Sequence, residues 1–330
     1  MSAPEPQTEA PAIRTAGLGR TFDSVPALEG LDLEVPAGEL FGLVGPDGSG
    51  KTTTLRLLAA LMPPSSGRAW VAGLDVVREQ EAVHDAIGYV PQRFGLYPDL
   101  TVSENVSFFA DLYGVPRSEL AVSAPRLLSW ARLEQFRGRL AGNLSGGMKQ
   151  KLALACALIH TPRVLLLDEP TAGVDPVSRR DFWLLLKELL AERVTIFVST
   201  SYLDEAEKCD RVGLLFDGKL LACASPEELR RQGGGRVIEI MAPDPRRALG
   251  VVRETEGESA ASLFGDRIHL AVEDPTAGAS RVRYALGQAG IAVSGMREVA
   301  PTLEDVFVSA VSARRKPDRL SGPAVRGKQG

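Results

Sequence analysis

Between Ile13 and Val35 apolar and polar residues alternate, most regularly over Leu28–Val35, which predicts half-buried antiparallel strands. The pattern then changes to short, unbroken apolar runs: Leu40–Val44, Val164–Leu167 and Val194–Val198. Runs of that length without alternation predict strands buried on both faces. Thr53–Leu61, Ser145–Leu158 and Val177–Leu190 instead space their apolar residues three and four apart, which predicts helices, the first stopped by Pro63–Pro64. Strands alternating with helices predict an α/β architecture around a largely parallel sheet covered on both sides. Residues 94–145 are helical in period but interrupted at Pro98, Gly114-Val-Pro116 and Pro125, and are expected to form a helical insertion.

The glycine-rich break at Arg231–Gly235 separates a domain over 13–230 from a smaller one over 236–311. In the second, strands are predicted at Val237–Met241, Ile268–Val272 and Ile291–Glu298. Helices are predicted at Arg246–Glu254, Ser280–Gln288 and Leu303–Val311, a small α+β accessory domain. Residues 1–12, rich in Ala, Pro, Glu and Gln, read as a disordered tail, and residues 312–330 as a basic tail that is solvated or touches anionic lipid headgroups.

Composition narrows the classes. With 330 residues, 44% hydrophobic and 24% charged, the chain can bury a sizeable core. A net charge of −4 argues against nucleic acid as a partner. No apolar run nears the roughly 20 residues a bilayer-spanning helix needs, and the first residues carry no apolar signal region, so neither secretion nor membrane spanning is expected. Cys156, Cys209 and Cys223 lack metal-ligand spacing and are expected to be reduced thiols.

Gly45-Pro46-Asp47-Gly48-Ser49-Gly50-Lys51-Thr52 lies between a predicted strand and a predicted helix and fits the P-loop pattern GxxxxGK[ST]. Glycines let backbone N–H groups approach phosphate oxygens, and the helix that begins near Thr53 turns its positive end toward the anion. Lys51 suits the β- and γ-phosphates of ATP, and the Thr52 hydroxyl suits Mg²⁺. The apolar strand at Val164–Leu167 ends in Asp168 and Glu169. Buried carboxylates are costly unless they serve an ion or a reaction. Asp168 suits Mg²⁺ and Glu169 suits orienting or deprotonating a water, the alternative being a pair of helix-capping acids.

Leu144-Ser145-Gly146-Gly147-Met148-Lys149-Gln150 resembles the signature motif of ABC ATPases, with Met148-Lys149 in place of the commoner Gln-Gln or Gln-Arg. The order of elements is similar to that family from Thr15 to about Glu228. The resemblance implies a P-loop ABC ATPase domain of mixed sheet plus helical insertion. It places Phe22 on adenine, Gln92 at Mg²⁺ and the permease contact, and Asp175 at the dimer interface. Ser145, Gly146 and Gly147 would meet the ATP of the opposite subunit. Two subunits, alike or different, would close on ATP and drive a multi-span permease at the cytoplasmic face of the plasma membrane, to which the chain would be peripheral.

The family places a histidine after the Val194–Val198 strand. Here Ser201 stands in its place, and neither His160 nor His269 lies in a matching context. Serine is short and lacks a second nitrogen with which to join two groups, so slow hydrolysis at the chain's own site is expected. Leu100–Gly114, Gly147–Leu154 and Pro301-Thr-Leu-Glu-Asp-Val-Phe307 resemble export-type ATPases such as the daunorubicin-resistance and multidrug efflux proteins. Two alternatives stay open: a nucleotide-binding regulatory subunit with little hydrolysis, and a soluble ABC ATPase acting on ribosome or DNA.

Overall fold

The computed structural model describes residues 10–93, 95–233, 235–257 and 260–315; the expectations for the extreme tails lie outside these. The chain divides into two compact units, Met1–Cys223 and Ala224–Gly330.

In chain order the first unit comprises β1 (Ile13–Phe22), β2 (Val25–Val35), β3 (Leu40–Val44), α1 (Lys51–Leu58), β4 (Ser66–Val71), β5 (Leu74–Asp75), α2 (Gln80–Ala86) and β6 (Ile87–Val90). It continues with α3 (Val102–Leu112), α4 (Arg117–Trp130), α5 (Gly146–Ala157), β7 (Val164–Asp168), α6 (Pro176–Ala191), β8 (Thr195–Thr200), α7 (Leu203–Ala206), β9 (Arg211–Phe216) and β10 (Lys219–Ala224). The alternating N-terminal segment pairs as expected: β1 and β2 run antiparallel within a four-stranded sheet ordered β2-β1-β4-β5. The unbroken apolar runs become the centre of a six-stranded sheet ordered β10-β9-β3-β8-β7-β6. There β3 pairs with β8 and β9, and β7 with β6 and β8, all in parallel.

Every residue of β3, β7 and β8 is buried, so the sheet is covered on both faces. One core joins the two sheets through Ile13, Leu18, Leu31, Phe41, Leu166 and Phe197 and takes in Leu55, Leu57 and Leu58 of α1. A second core belongs to the insertion, where Val102, Val106, Leu128, Leu152 and Cys156 meet.

Pro125 does not break the chain: α4 runs through it. Proline removes one amide from the helix ladder, but Leu120, Ala124, Leu127, Leu128 and Trp130 all pack into the insertion core, and that burial carries the helix across the gap. The preceding α3 begins at a capping box in which Thr101 accepts from the Glu104 amide and the Glu104 carboxylate accepts from the Thr101 amide.

The second unit adds α8 (Pro226–Gly233), β11 (Arg236–Met241), α9 (Pro245–Glu256), β12 (Ala261–Phe264), β13 (Arg267–Val272), α10 (Pro275–Gln288), β14 (Gly295–Val299) and α11 (Leu303–Arg315). Its antiparallel sheet is ordered β12-β13-β11-β14, the arrangement of a split β-α-β fold. Ile238, Ile240, Ile268 and Leu270 pack with Ala248 and Val252 of α9 and with Val282 and Leu286 of α10. Residues 224–230 sit with this unit, because α8 lies on α11: a Cβ on Gly233 would come within 2.7 Å of Val306. The last strand starts at Gly295 rather than Ile291, since Ile291 is spent on the helix-side core.

Burial raises the thiol pKa of Cys156 and of Cys209 far above the ordinary value, whereas Cys223 is half-buried beside Arg211. Alkylation of the native protein at neutral pH is expected to mark Cys223 alone, and all three thiols in denaturant, as read by mass spectrometry. Thr101→Ala is expected to remove about 1 kcal/mol of stability, read from the denaturant midpoint.

Candidate functional site

The parallel register aligns the C-terminal ends of four strands. Val44 lies opposite Thr200, Asp168 opposite Ser199, and Val90 opposite Leu167. Open α/β sheets present ligand sites at this edge. The loop after β3 is forced into shape by its glycines. A Cβ on Gly45 would meet the Leu215 carbonyl at 2.1 Å, and one on Gly50, whose φ is 107°, would meet the Ala27 carbonyl at 2.5 Å. Gly50 N-caps α1 without any side chain, so the first-turn amides keep no side-chain partner and face the cradle as donors.

Lys51 is 4% exposed, and its ammonium meets four oxygens: the Gly45 carbonyl at 2.7 Å, the Pro46 carbonyl at 3.0 Å, Ser201 Oγ at 3.0 Å and Glu169 Oε1 at 3.0 Å. Asp168 Oδ1 accepts from Thr52 Oγ1 at 3.1 Å and from Ser199 Oγ at 2.8 Å. Burial pushes the Asp168 carboxyl up from its ordinary value, against the pull of those two hydroxyls. A buried carboxylate beside a threonine hydroxyl, both oxygen donors, is a donor set that fits a hard divalent cation. Glu169 follows with φ 45°, a left-handed conformation held by its amide, which donates to Ser199 Oγ at 2.9 Å. Such a conformation costs a side-chain-bearing residue on the order of 1 kcal/mol or more and is met most often at functional sites. Gln92, beyond the end of β6, donates its amide to Glu169 Oε2 at 3.1 Å.

Lys51, Thr52, Asp168, Glu169, Gln92 and Ser201 therefore come together, and Ser49 adds a buried hydroxyl with no partner inside the loop. Phe22 stands apart, at the β1–β2 turn, 40% exposed with the Arg20 guanidinium 4.8 Å over its ring. Ser145 caps α5, accepting from the Met148 amide at 3.3 Å, and Asp175 caps α6, accepting from the Val177 and Ser178 amides. Those amides hold the Asp175 carboxyl below its ordinary value. The two helix starts touch: a Cβ on Gly147 would lie 2.4 Å from Ser178 Cβ. Among the described residues, no hydrogen bond or ion pair joins Ser145, Gly146 or Gly147 to the Gly45–Thr53 loop. His160 is stacked on Tyr113 and bonded to the Ile87 carbonyl, and His269 pairs with Asp305 in the second unit.

One element was not singled out in the sequence. Glu205, fully buried, accepts from Thr200 at 2.7 Å and from Thr171, and it pairs with Arg179 at 3.5 Å. It ties the loop after Glu169 to the loop that carries Ser201. The only signal was an acid two residues past Leu203, which by itself reads as an ordinary surface charge.

The ABC transporter family model matches residues 28–172, and that of the ATP-binding protein DrrA1-3-like C-terminal domain matches residues 225–311. Over 300 residues the chain is 43% identical to the Escherichia coli (strain K12) "Probable multidrug ABC transporter ATP-binding protein YbhF", covering 88% of this chain and 50% of that protein. It thus spans about half the length of that relative. It is 35% identical to the daunorubicin resistance ATP-binding protein DrrA2 of Streptomyces coeruleorubidus, covering 92% of this chain and 96% of the other. For the Nod factor export ATP-binding protein I of Rhizobium sp. (strain N33) the values are 37%, 90% and 96%. Among solved structures it is similar to an ATP-binding cassette in a dimeric post-hydrolysis state bound to ADP and Pi, with TM-score 0.60 and 28% identity, covering 64% of this chain and 98% of the other. A P-loop and an Asp-Glu strand end joined at one sheet edge, a Ser-Gly-Gly helix start, and these matches agree: the chain belongs to the ATP-binding proteins of ABC transporters and carries a DrrA1-3-like C-terminal domain.

Proposed function

We propose that the chain binds and hydrolyses ATP to power export through a separately encoded, multi-span permease. The observation that carries this reading is the meeting of Lys51, Thr52, Asp168 and Glu169 at one sheet edge. In it, the glycine loop and the α1 amides hold the phosphates and Lys51 neutralises their charge. Thr52 and Asp168, with Gln92 nearby, would hold Mg²⁺, which would supply neutralisation of the phosphate charge. Glu169 accepts a hydrogen bond from the attacking water and, being fixed by Gln92 and Lys51, needs little reorientation to do so.

Among the described residues, Ser145, Gly146 and Gly147 make no hydrogen bond or ion pair to the chain's own phosphate loop, which supports their use on the ATP of a second ATPase subunit. A dimer that holds ATP better when closed than when open is shifted closed by ATP and released once hydrolysis removes that preference. Phe22 offers one ring face to adenine, and Asp175 lies beside the signature helix where a second subunit would reach it. The permease contact falls on the helical insertion next to Gln92. No helix among the described residues is long and apolar enough to cross a membrane, which supports peripheral attachment at the cytoplasmic face through that permease. The names of the multidrug, daunorubicin and Nod factor relatives support export as the direction.

The slow-site reading is favoured by one observation: Ser201 reaches Lys51 and Glu169 with a single hydroxyl, where the family's histidine has two nitrogens. Lys51→Ala is expected to weaken ATP binding about tenfold or more, measured with a fluorescent analogue; unchanged affinity overturns the nucleotide reading. Ser201→His is expected to raise ATP turnover about tenfold or more, alone or with the partner subunit, and no gain in either setting removes the slow-site reading.

A further inference from the structure

In the phosphate cradle it is backbone amides that face the ligand, which leaves the side chain of Asp47 without a role there. Its Oδ1 lies 3.2 Å from Ser201 Oγ, and Glu169 Oε1 lies 2.9 Å from the same oxygen. Lys51 approaches that oxygen as a donor, at 3.0 Å. The Ser201 hydroxyl therefore accepts from lysine and has a single proton to offer two carboxylates. The bonds to Asp47 and to Glu169 are alternatives, not a pair.

We propose that Asp47 is a positioning residue for hydrolysis, competing with Glu169 for the Ser201 proton. When the hydroxyl turns to Asp47, Glu169 Oε1 keeps Lys51, 3.0 Å away, as a donor, and its second lone pair is free to accept from the attacking water. When it turns to Glu169, that oxygen is engaged. A histidine at this place would join two groups at once through two nitrogens; Ser201 serves two groups in turn, and the second acceptor is supplied by the P-loop itself. The proposal rests on Glu169 acting on water, as set out above.

Charge makes the idea testable, because it sets two effects in opposite directions. Asn in place of Asp47 keeps the size and an acceptor oxygen but loses the charge. Bonds to a charged acceptor are about twice as strong as neutral ones, so the hydroxyl then settles on Glu169 and turnover falls. The same change removes a negative charge beside the phosphate cradle, so nucleotide binds more tightly. Damage to the shape of the loop would instead weaken binding and turnover together.

The test uses the full chain in five forms: unsubstituted, Asp47→Asn, Ser201→Ala, the double variant, and Lys51→Ala as the inactive reference. ATP turnover is measured, and separately the affinity for a fluorescent ATP analogue in EDTA. Asp47→Asn is expected to lower kcat about tenfold when Ser201 is present, and the double variant is expected to be no slower than Ser201→Ala. Affinity for the analogue is expected to rise about threefold with Asp47→Asn in either background. An equal loss of kcat in the Ser201→Ala background, or affinity that falls with turnover, overturns the proposal while leaving the hydrolytic reading intact. Turnover of the unsubstituted chain no higher than that of Lys51→Ala overturns both.

Discussion

The ammonium of Lys51 has three protons and four oxygens around it, and nearly everything at the sheet edge is arranged with respect to it. An ammonium with 4% exposure is costly to desolvate, and the cost is offset only where geometry and hydrogen bonding are good. Two of its partners are carbonyls of its own loop, so the cradle is partly folded around its own lysine. The other two, Glu169 and Ser201, come from the ends of different strands. The lysine therefore reads the relative position of β3, β7 and β8, which the parallel register sets to within a residue.

That dependence explains where strain and buried charge are tolerated. Glu169 takes a left-handed backbone because its carboxylate has to leave the end of β7 toward Lys51 while Asp168, one residue earlier, points to Thr52. Successive residues of a strand face opposite ways, so two adjacent carboxylates can serve one site only if the strand ends between them. The Glu205 cluster, bonded to Thr171 and Thr200 and paired with Arg179, fastens the two loops that leave this edge. A buried acid with three partners rigidifies, whereas one with none would be a liability.

The second unit solves a different problem. Its sheet has two covered faces but only one purely apolar one. On the other face, Glu239 is held between Arg267 at 2.9 Å and Arg297 at 2.7 Å, and His269 meets Asp305 of α11. The run 301–307 that resembles export ATPases is thereby seen to do local work first. Thr302 and Asp305 cap α11 reciprocally, and Leu303 and Val306 bury its inner side.

Periodicity and spacing alone disclosed the buried strands, the glycine loop, the Asp168–Glu169 pair and the signature helix start, because each is a local pattern with a local physical cause: burial on two faces, close backbone approach, a strand end, an N-cap. In the four-stranded ladder of the second unit three strands were legible and β12 was not, since four residues are too few to establish a period. Pro125 misled for the opposite reason: a local rule predicted a break, and packing of the surrounding apolar residues overrode it. The sequence by itself determined the parts of the site and the absence of a histidine at position 201. Only the tertiary structure decided that Asp47, Lys51, Glu169 and Ser201 share a few ångströms, because residues 154 apart along the chain are brought to hydrogen-bonding distance by strand register, and register is a property of the whole sheet.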